Sequence, residues 1–187
     1  MKQLEIEYKT LLHPIEYQNL LKLFTTEPVT QTNYYFDTPN FDMKKNKLSL
    51  RIRTFKTEAE LTLKIPQKVG NIEHNLPLSL EEAHHIITSE TFPINDITKL
   101  IQTYPITLSD LGLLGHLTTK RYEEQTPIGL MALDKNHYAD QVDFELELEV
   151  SNPDKGKEDF ENFLQEQQIK FKYAKSKVAR FSATLNR

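Results

Sequence analysis

One stretch of this chain alternates acid with apolar side chain over eight residues: Asp143, Glu145, Glu147 and Glu149 against Phe144, Leu146, Leu148 and Val150. A period of two belongs to a β-strand, where residues i, i+2 and i+4 share a face. The carboxylates therefore stand in one row, spaced ~7 Å apart. Such a row repels itself unless water or a cation neutralises it. The other face of the strand has to be buried under something apolar.

The same device recurs. Glu5, Glu7 and Lys9 share a face, as do Arg51 and Arg53, while Lys64 lies with Thr62 opposite Leu61, Leu63 and Ile65. Taken singly, each strand reads as part of a sheet with one wet face. Taken together, the faces are too uniformly charged, because solvated faces mix Thr, Ser, Gln and Lys. Two carboxylate rows brought together form an oxygen-rich site for a hard divalent ion, Mg2+ or Mn2+. Guanidinium forks and lysine suit phosphate. Closing the strands into a barrel gathers acids and bases in one concave interior, with apolar faces outward beneath helices.

The remaining elements agree with that plan. Strands are expected over residues 3–9, 31–37, 48–55, 60–66, 72–76, 114–124, 128–133 and 142–150. Pro14 opens a helix, and Ser79-Leu80-Glu81-Glu82 is a capping box for another. Short helices are expected at 94–104, from Asn152-Pro153 to about 167, and over 175–185. Strand following strand points to antiparallel pairing and an α+β class. The 187 residues fit one domain, 1–187, with no linker or repeat. No GxGxxG or Walker pattern is present.

Composition narrows the function. A net charge of −4 argues against stable nucleic-acid binding driven by total charge. No apolar run approaches the ~18–20 residues of a membrane span. The acid at Glu5 interrupts any signal-peptide pattern, and the absence of cysteine excludes disulfides and thiolate zinc sites. The expected location is cytoplasmic.

At this point the sequence resembles the CYTH superfamily, the triphosphate tunnel metalloenzymes. Glu5-Ile6-Glu7-Tyr8-Lys9 matches the N-terminal E-x-E-x-K signature. Tyr34-Tyr35-Phe36-Asp37-Thr38 resembles Y-F-D-T, Leu50-Arg51-Ile52-Arg53 matches L-R-x-R, and Leu61-Thr62-Leu63-Lys64 matches L-T-x-K. Arg121 before Tyr122, the acidic strand Glu145–Glu149 and Ser176-Lys177 follow in the family's order.

The resemblance implies an eight-stranded antiparallel β-barrel, a triphosphate tunnel with flanking helices. It implies hydrolysis of a small-molecule triphosphate (inorganic, thiamine or nucleoside triphosphate) with Mg2+ or Mn2+. Glu5 and Glu7 would hold metal with residues from Glu145, Glu147 and Glu149, whose register stays open. Arg51, Arg53, Lys64 and Arg121 would clamp phosphates, and Lys177 would reach in from the C-terminal helix. Lys9 would contact a phosphate near the metal and act with Glu5 and Glu7 in catalysis. Glu73 and Asp134 match further acidic positions. Thr119, Asn71 and Asn75 depart from the family's charged residues.

A nucleotidyl cyclase, with Tyr35, Phe55 or Tyr122 stacking on a base, is the first alternative. A non-catalytic polyphosphate or nucleotide sensor is the second. A lipocalin-like carrier is opposed by the charged alternation. No membrane partner is expected, and the state is monomer or homodimer. The six histidines show no ligand spacing and read as structural or surface. Glu58, Glu60, Glu123, Glu124 and the lysines at 44, 45 and 47 read as solvated.

Overall fold

The computed structural model describes residues 1–185. In chain order the strands are β1 (Lys2–Glu5), β2 (Glu7–Leu12), β3 (Val29–Asp37), β4 (Ser49–Thr54), β5 (Ala59–Pro66), β6 (Asn71–Leu78), β7 (Gly112–Thr126), β8 (Gly129–Tyr138) and β9 (Gln141–Glu149). The helices are α1 (Pro14–Leu21), α2 (Asp42–Lys45), α3 (Leu80–Ser89), α4 (Asp96–Ile101), α5 (Pro153–Glu166) and α6 (Lys177–Ser182). The strands pair in the order β1-β6-β5-β4-β3-β7-β8-β9-β2. This is the α+β antiparallel β-barrel class expected from the sequence, with nine strands where eight were expected. The extra strand arises because the first one divides at Ile6: β1 lies beside β6, and β2 lies beside β9.

The backbone groups into two compact units. The first comprises Met1–Leu4 and Gln31–Leu117. Its apolar sheet face carries Phe36, Leu50, Ile52, Leu61 and Leu63, which cluster with Ala83 and Ile86 of α3 and with Ile97 and Ile101 of α4. Ser79 and Glu82 form the expected capping box, which fixes where α3 enters that layer. Asp37 ends β3 by a local device: its carboxylate accepts from the backbone N–H groups of Thr38, Met43 and Lys44 at 2.7, 2.8 and 3.1 Å. The Y-F-D-T stretch therefore ends β3 and seats α2 through Asp37, a helix that period alone could not reveal in four residues.

The second unit runs from Glu5 to Thr30 and from Thr118 onward. Leu12, Met131, Leu133, Leu146 and Leu148 pack against Tyr17 and Leu20 of α1 and against Phe160 and Leu164 of α5. The Tyr8 hydroxyl donates to the Pro153 carbonyl at 2.6 Å, which ties β2 to the start of α5. Gly156 lets that helix approach closely, since a Cβ there would lie 2.5 Å from Val150 Cγ2. In each unit the apolar face of the sheet lies under helices and the charged face is the other one, as the alternation predicts. No helix among the described residues is long and apolar enough to cross a membrane.

Candidate functional site

In the second unit the register aligns the charged rows. Glu7 stands opposite Glu149, and Lys9 opposite Glu147. On the other side of β9, Asp134 stands opposite Glu145, and Arg121 of β7 stands opposite Asp134. Directly paired residues share a face, so acids from β2, β8 and β9 and bases from β2 and β7 occupy one surface. Lys9 Nζ lies 2.9 Å from Glu7.

Asp134, Glu145 and Glu147 are buried, with exposures of 0, 0 and 8 %. One oxygen from each lies within 4.8 Å of the others. Three carboxylates this close and this dry require cations. Arg121 supplies a fork to Asp134 and reaches Glu147 at 2.5 Å. Lys177 Nζ lies 2.9 Å from Asp134 and 2.6 Å from Glu147, and also contacts Glu145. Arg180 contacts Glu145 and lies 3.1 Å from Asp143.

The charges are correspondingly displaced. Burial is the largest influence on Glu145 and pushes its carboxyl up to about 7; the Glu147 charge adds to this, and Lys177 and Arg180 oppose it. Burial also opposes ionisation of Asp134 and Glu147, but their cations prevail. Arg121 and Lys177 hold Asp134 below the ordinary carboxylate range. Lys177 and Arg121 hold Glu147 well below it.

The C-terminal cations arrive by a short sequence of local contacts. The backbone of Lys172 accepts from Leu11 N–H at 3.0 Å and donates to Thr10 Oγ1 at 2.8 Å, so the segment before α6 is fixed to β2. Ser176 then caps α6, its hydroxyl accepting from Ala179 N–H at 3.2 Å. The serine of the Ser-Lys pair thus starts the helix, and Lys177 and Arg180, three apart, share its face.

The first unit carries a second charged face. Arg51 stands opposite Tyr35, and Arg53 opposite Asn33. Arg51 also faces Thr62, and Arg53 faces Glu60, while Lys64 faces Glu73. Glu73 lies 3.5 Å from Arg51 and 3.1 Å from Lys64. Burial opposes its charge, but Arg51 and Lys64 hold the carboxyl below its usual range. Arg53 donates to Asn33 at 2.9 Å and to Glu60 at 3.3 Å. The buried Nε of Arg51 has no hydrogen-bond partner, an orphaned donor that an anion would satisfy. At the departures noted in the sequence, Thr62 donates to Asn75 at 2.6 Å and Thr119 donates to Asn136 at 2.7 Å. A neutral pair thus stands at Asn75 and at Thr119.

Several expectations change. Glu60 is not solvated but pairs with Arg53. Glu124 accepts from the backbone N–H and the hydroxyl of Thr25, both at 2.9 Å. Tyr122 lies on the apolar face, its ring 6.4 Å from Phe24, so it is turned away from the charged surface. Glu5, Glu7 and Glu149 are outside the Asp134–Glu145–Glu147 trio. Arg180 had no sequence signal beyond its three-residue spacing from Lys177. Lys120 and Lys135 are paired with each other and, alternating with Arg121 and Asp134, lie on the opposite face over Tyr122 and Phe144.

Comparison with known proteins places this geometry in a family. The CYTH domain profile matches residues 3–182. YjbK of Bacillus subtilis (strain 168), provisionally named a triphosphatase, is 33% identical over 183 residues, spanning 96% of this chain and 95% of that protein. A Bacillus halodurans crystal structure, provisionally named an adenylate cyclase, superposes with a TM-score of 0.91 at 31% identity, covering 96% of this chain and 98% of that one. HpAC1 from Hippeastrum, reported with a dominant triphosphatase activity, shares the fold with a TM-score of 0.81 at 22% identity, covering 98% and 96%.

Proposed function

The chain belongs to the CYTH domain family, and from that premise we propose that it hydrolyses a small-molecule triphosphate with the help of a divalent metal. The observation that carries the reading is the buried trio of Asp134, Glu145 and Glu147, with oxygens within 4.8 Å of one another. An all-carboxylate donor set fits a hard ion such as Mg2+ or Mn2+. Glu145 and Glu147, with Asp134, Glu5, Glu7 and Glu149, would hold it. When bound, the ion would neutralise phosphate charge and make the terminal phosphorus more electrophilic.

The protein's own groups supply the rest. Arg51, Arg53, Lys64, Arg121, Lys177 and Lys9 are the proposed phosphate ligands. Guanidinium forks hold the phosphate oxygens in fixed directions, and lysine adds point charge. Glu5 and Glu7 orient water for in-line attack, with Lys9 beside them on the phosphate. Water adds to the terminal phosphorus and the bond to the bridging oxygen breaks. Inorganic triphosphate then yields orthophosphate and pyrophosphate. Catalysis on this plan is positioning and charge stabilisation. A cytoplasmic location fits such a substrate.

YjbK's provisional name supports hydrolysis, while the provisional cyclase name of the Bacillus halodurans structure keeps cyclisation as the second reading. Tyr122 packs on Phe24 and is turned away from the charged face, so it drops out as an adenine platform, whereas Tyr35 stands opposite Arg51. The deciding experiment is a product assay with tripolyphosphate, thiamine triphosphate and ATP, each with Mg2+, Mn2+ or a chelator. Metal-dependent orthophosphate release supports the reading. Pyrophosphate with a cyclic nucleotide would replace it with the cyclase, and tight binding without turnover would replace it with the sensor.

A further inference from the structure

On the side of the second unit's sheet away from the acid trio, the apolar layer is incompletely covered. Between the end of α1, the turn joining β7 to β8, and α5 lies a cavity of about 530 Å³. Phe24, Ile128, Met131 and Phe163 form its apolar lining, and Glu124, Asp159 and Glu166 stand with them. No lysine, arginine or histidine is among the lining residues. Met131 is paired with Leu148, whereas its neighbour Ala132 is paired with Glu147. Alternation therefore puts this cavity on the opposite face from the proposed catalytic cluster.

The three acids are differently committed. Glu124 is held by Thr25. Asp159 pairs with Lys155, whose own side chain is 71 % exposed and lies outside the lining. Glu166 is exposed, at the last residue of α5. The result is a negative field over an apolar and aromatic floor. The size is that of a small-molecule pocket.

We propose that this cavity binds an organic cation with an apolar body, an alkyl- or arylammonium. The hydrocarbon part would cover Ile128 and Met131, which releases ordered water from apolar surface. The ammonium would lie among the carboxylates and against the faces of Phe24 or Phe163, where a ring quadrupole attracts a cation. Neither element alone selects this ligand: the floor would accept any hydrocarbon, and the acids any cation. Their juxtaposition selects an amphiphilic cation, which is independent of whether the acid trio hydrolyses triphosphate.

The test uses the intact protein with benzyltrimethylammonium and octyltrimethylammonium as probes, followed by titration calorimetry and by saturation-transfer NMR. Both should bind in the range of tens of micromolar to about 1 mM. Benzyl alcohol and 1-octanol, which lack the charge, should bind at least about tenfold more weakly. Glu166→Lys reverses one rim charge at an exposed position, and Asn162→Trp places a ring in the cavity from another exposed position. The first should weaken binding about tenfold, and the second should abolish it. Both should leave the melting temperature and triphosphate turnover unchanged. Absence of binding up to about 10 mM, equal binding of the neutral alcohols, or binding indifferent to both substitutions would overturn the proposal. So would exclusive binding of an amphipathic lysine-rich peptide, which would make this face a docking surface.

Discussion

Arg121 grips Asp134 with a two-pronged fork, Nε 2.8 Å from one carboxylate oxygen and Nη2 2.7 Å from the other. Asp134 is fully buried, and the side chain of Arg121 is 18 % exposed. The pair fixes both a carboxylate of the acid trio and a proposed phosphate ligand. A planar fork cannot be replaced by a lysine point charge at such a site.

Arg121→Lys should therefore lower triphosphate turnover by about ten- to a hundredfold, because the phosphate contact loses its direction. It should also destabilise the fold by about 1–3 kcal/mol, since a hydrogen bond to buried Asp134 is lost. Product-release kinetics and urea denaturation of the same preparation check the two effects separately.

Glu147→Gln removes one charge from the trio while keeping shape. Turnover should fall at least about a hundredfold, with the far-ultraviolet circular dichroism of the native protein. Metal affinity, measured by calorimetry without substrate, should fall in parallel. Unchanged metal affinity would remove Glu147 from the ligand set.

Glu73 gives a pH dependence with a defined sign. Its folded-state carboxyl lies below the ordinary value of 4.5 because Arg51 and Lys64 outweigh burial. A depressed folded pKa contributes stability that is present above the unfolded pKa and is lost as pH falls through the folded one. The urea-midpoint difference between the native protein and Glu73→Gln should therefore be full at neutral pH and shrink progressively below about pH 4.5. A difference constant down to pH 3 would contradict this.

Gly156→Ala tests the seating of α5. Alanine favours helix by up to ~1 kcal/mol, but its Cβ would approach Val150 Cβ to 2.8 Å and Cγ2 to 2.5 Å. Overpacking of this kind costs about 1–3 kcal/mol, so net destabilisation is expected. Adding Val150→Ala should recover part of the loss, which thermal melts of the single and double variants would show as non-additivity.

How much of this was legible beforehand depended on the range of the interaction involved. Alternation is a property of consecutive residues, so the shared face of Glu145, Glu147 and Glu149 could be read directly, as could that of Arg51 and Arg53. Ser79 and Asn152 announced their helices because a cap acts within three residues. The strand ending at Asp37 was equally readable, but the four-residue helix that Asp37 seats was not, because it is too short to show a period.

What the amino-acid sequence determined on its own was therefore the set of faces: which side chains of each strand are charged, which are apolar, and hence that helices must cover the latter. Only tertiary structure decided partners. Asp134 joined Glu145 and Glu147 through the register of β8 on β9, Glu60 took Arg53 through that of β4 on β5, and Arg180 reached Glu145 once α6 docked. Tyr122 turned to Phe24 because its neighbour Arg121 had taken the charged face. Register and docking are set by contacts between residues far apart in the chain, and no local pattern encodes which of several charged neighbours will meet.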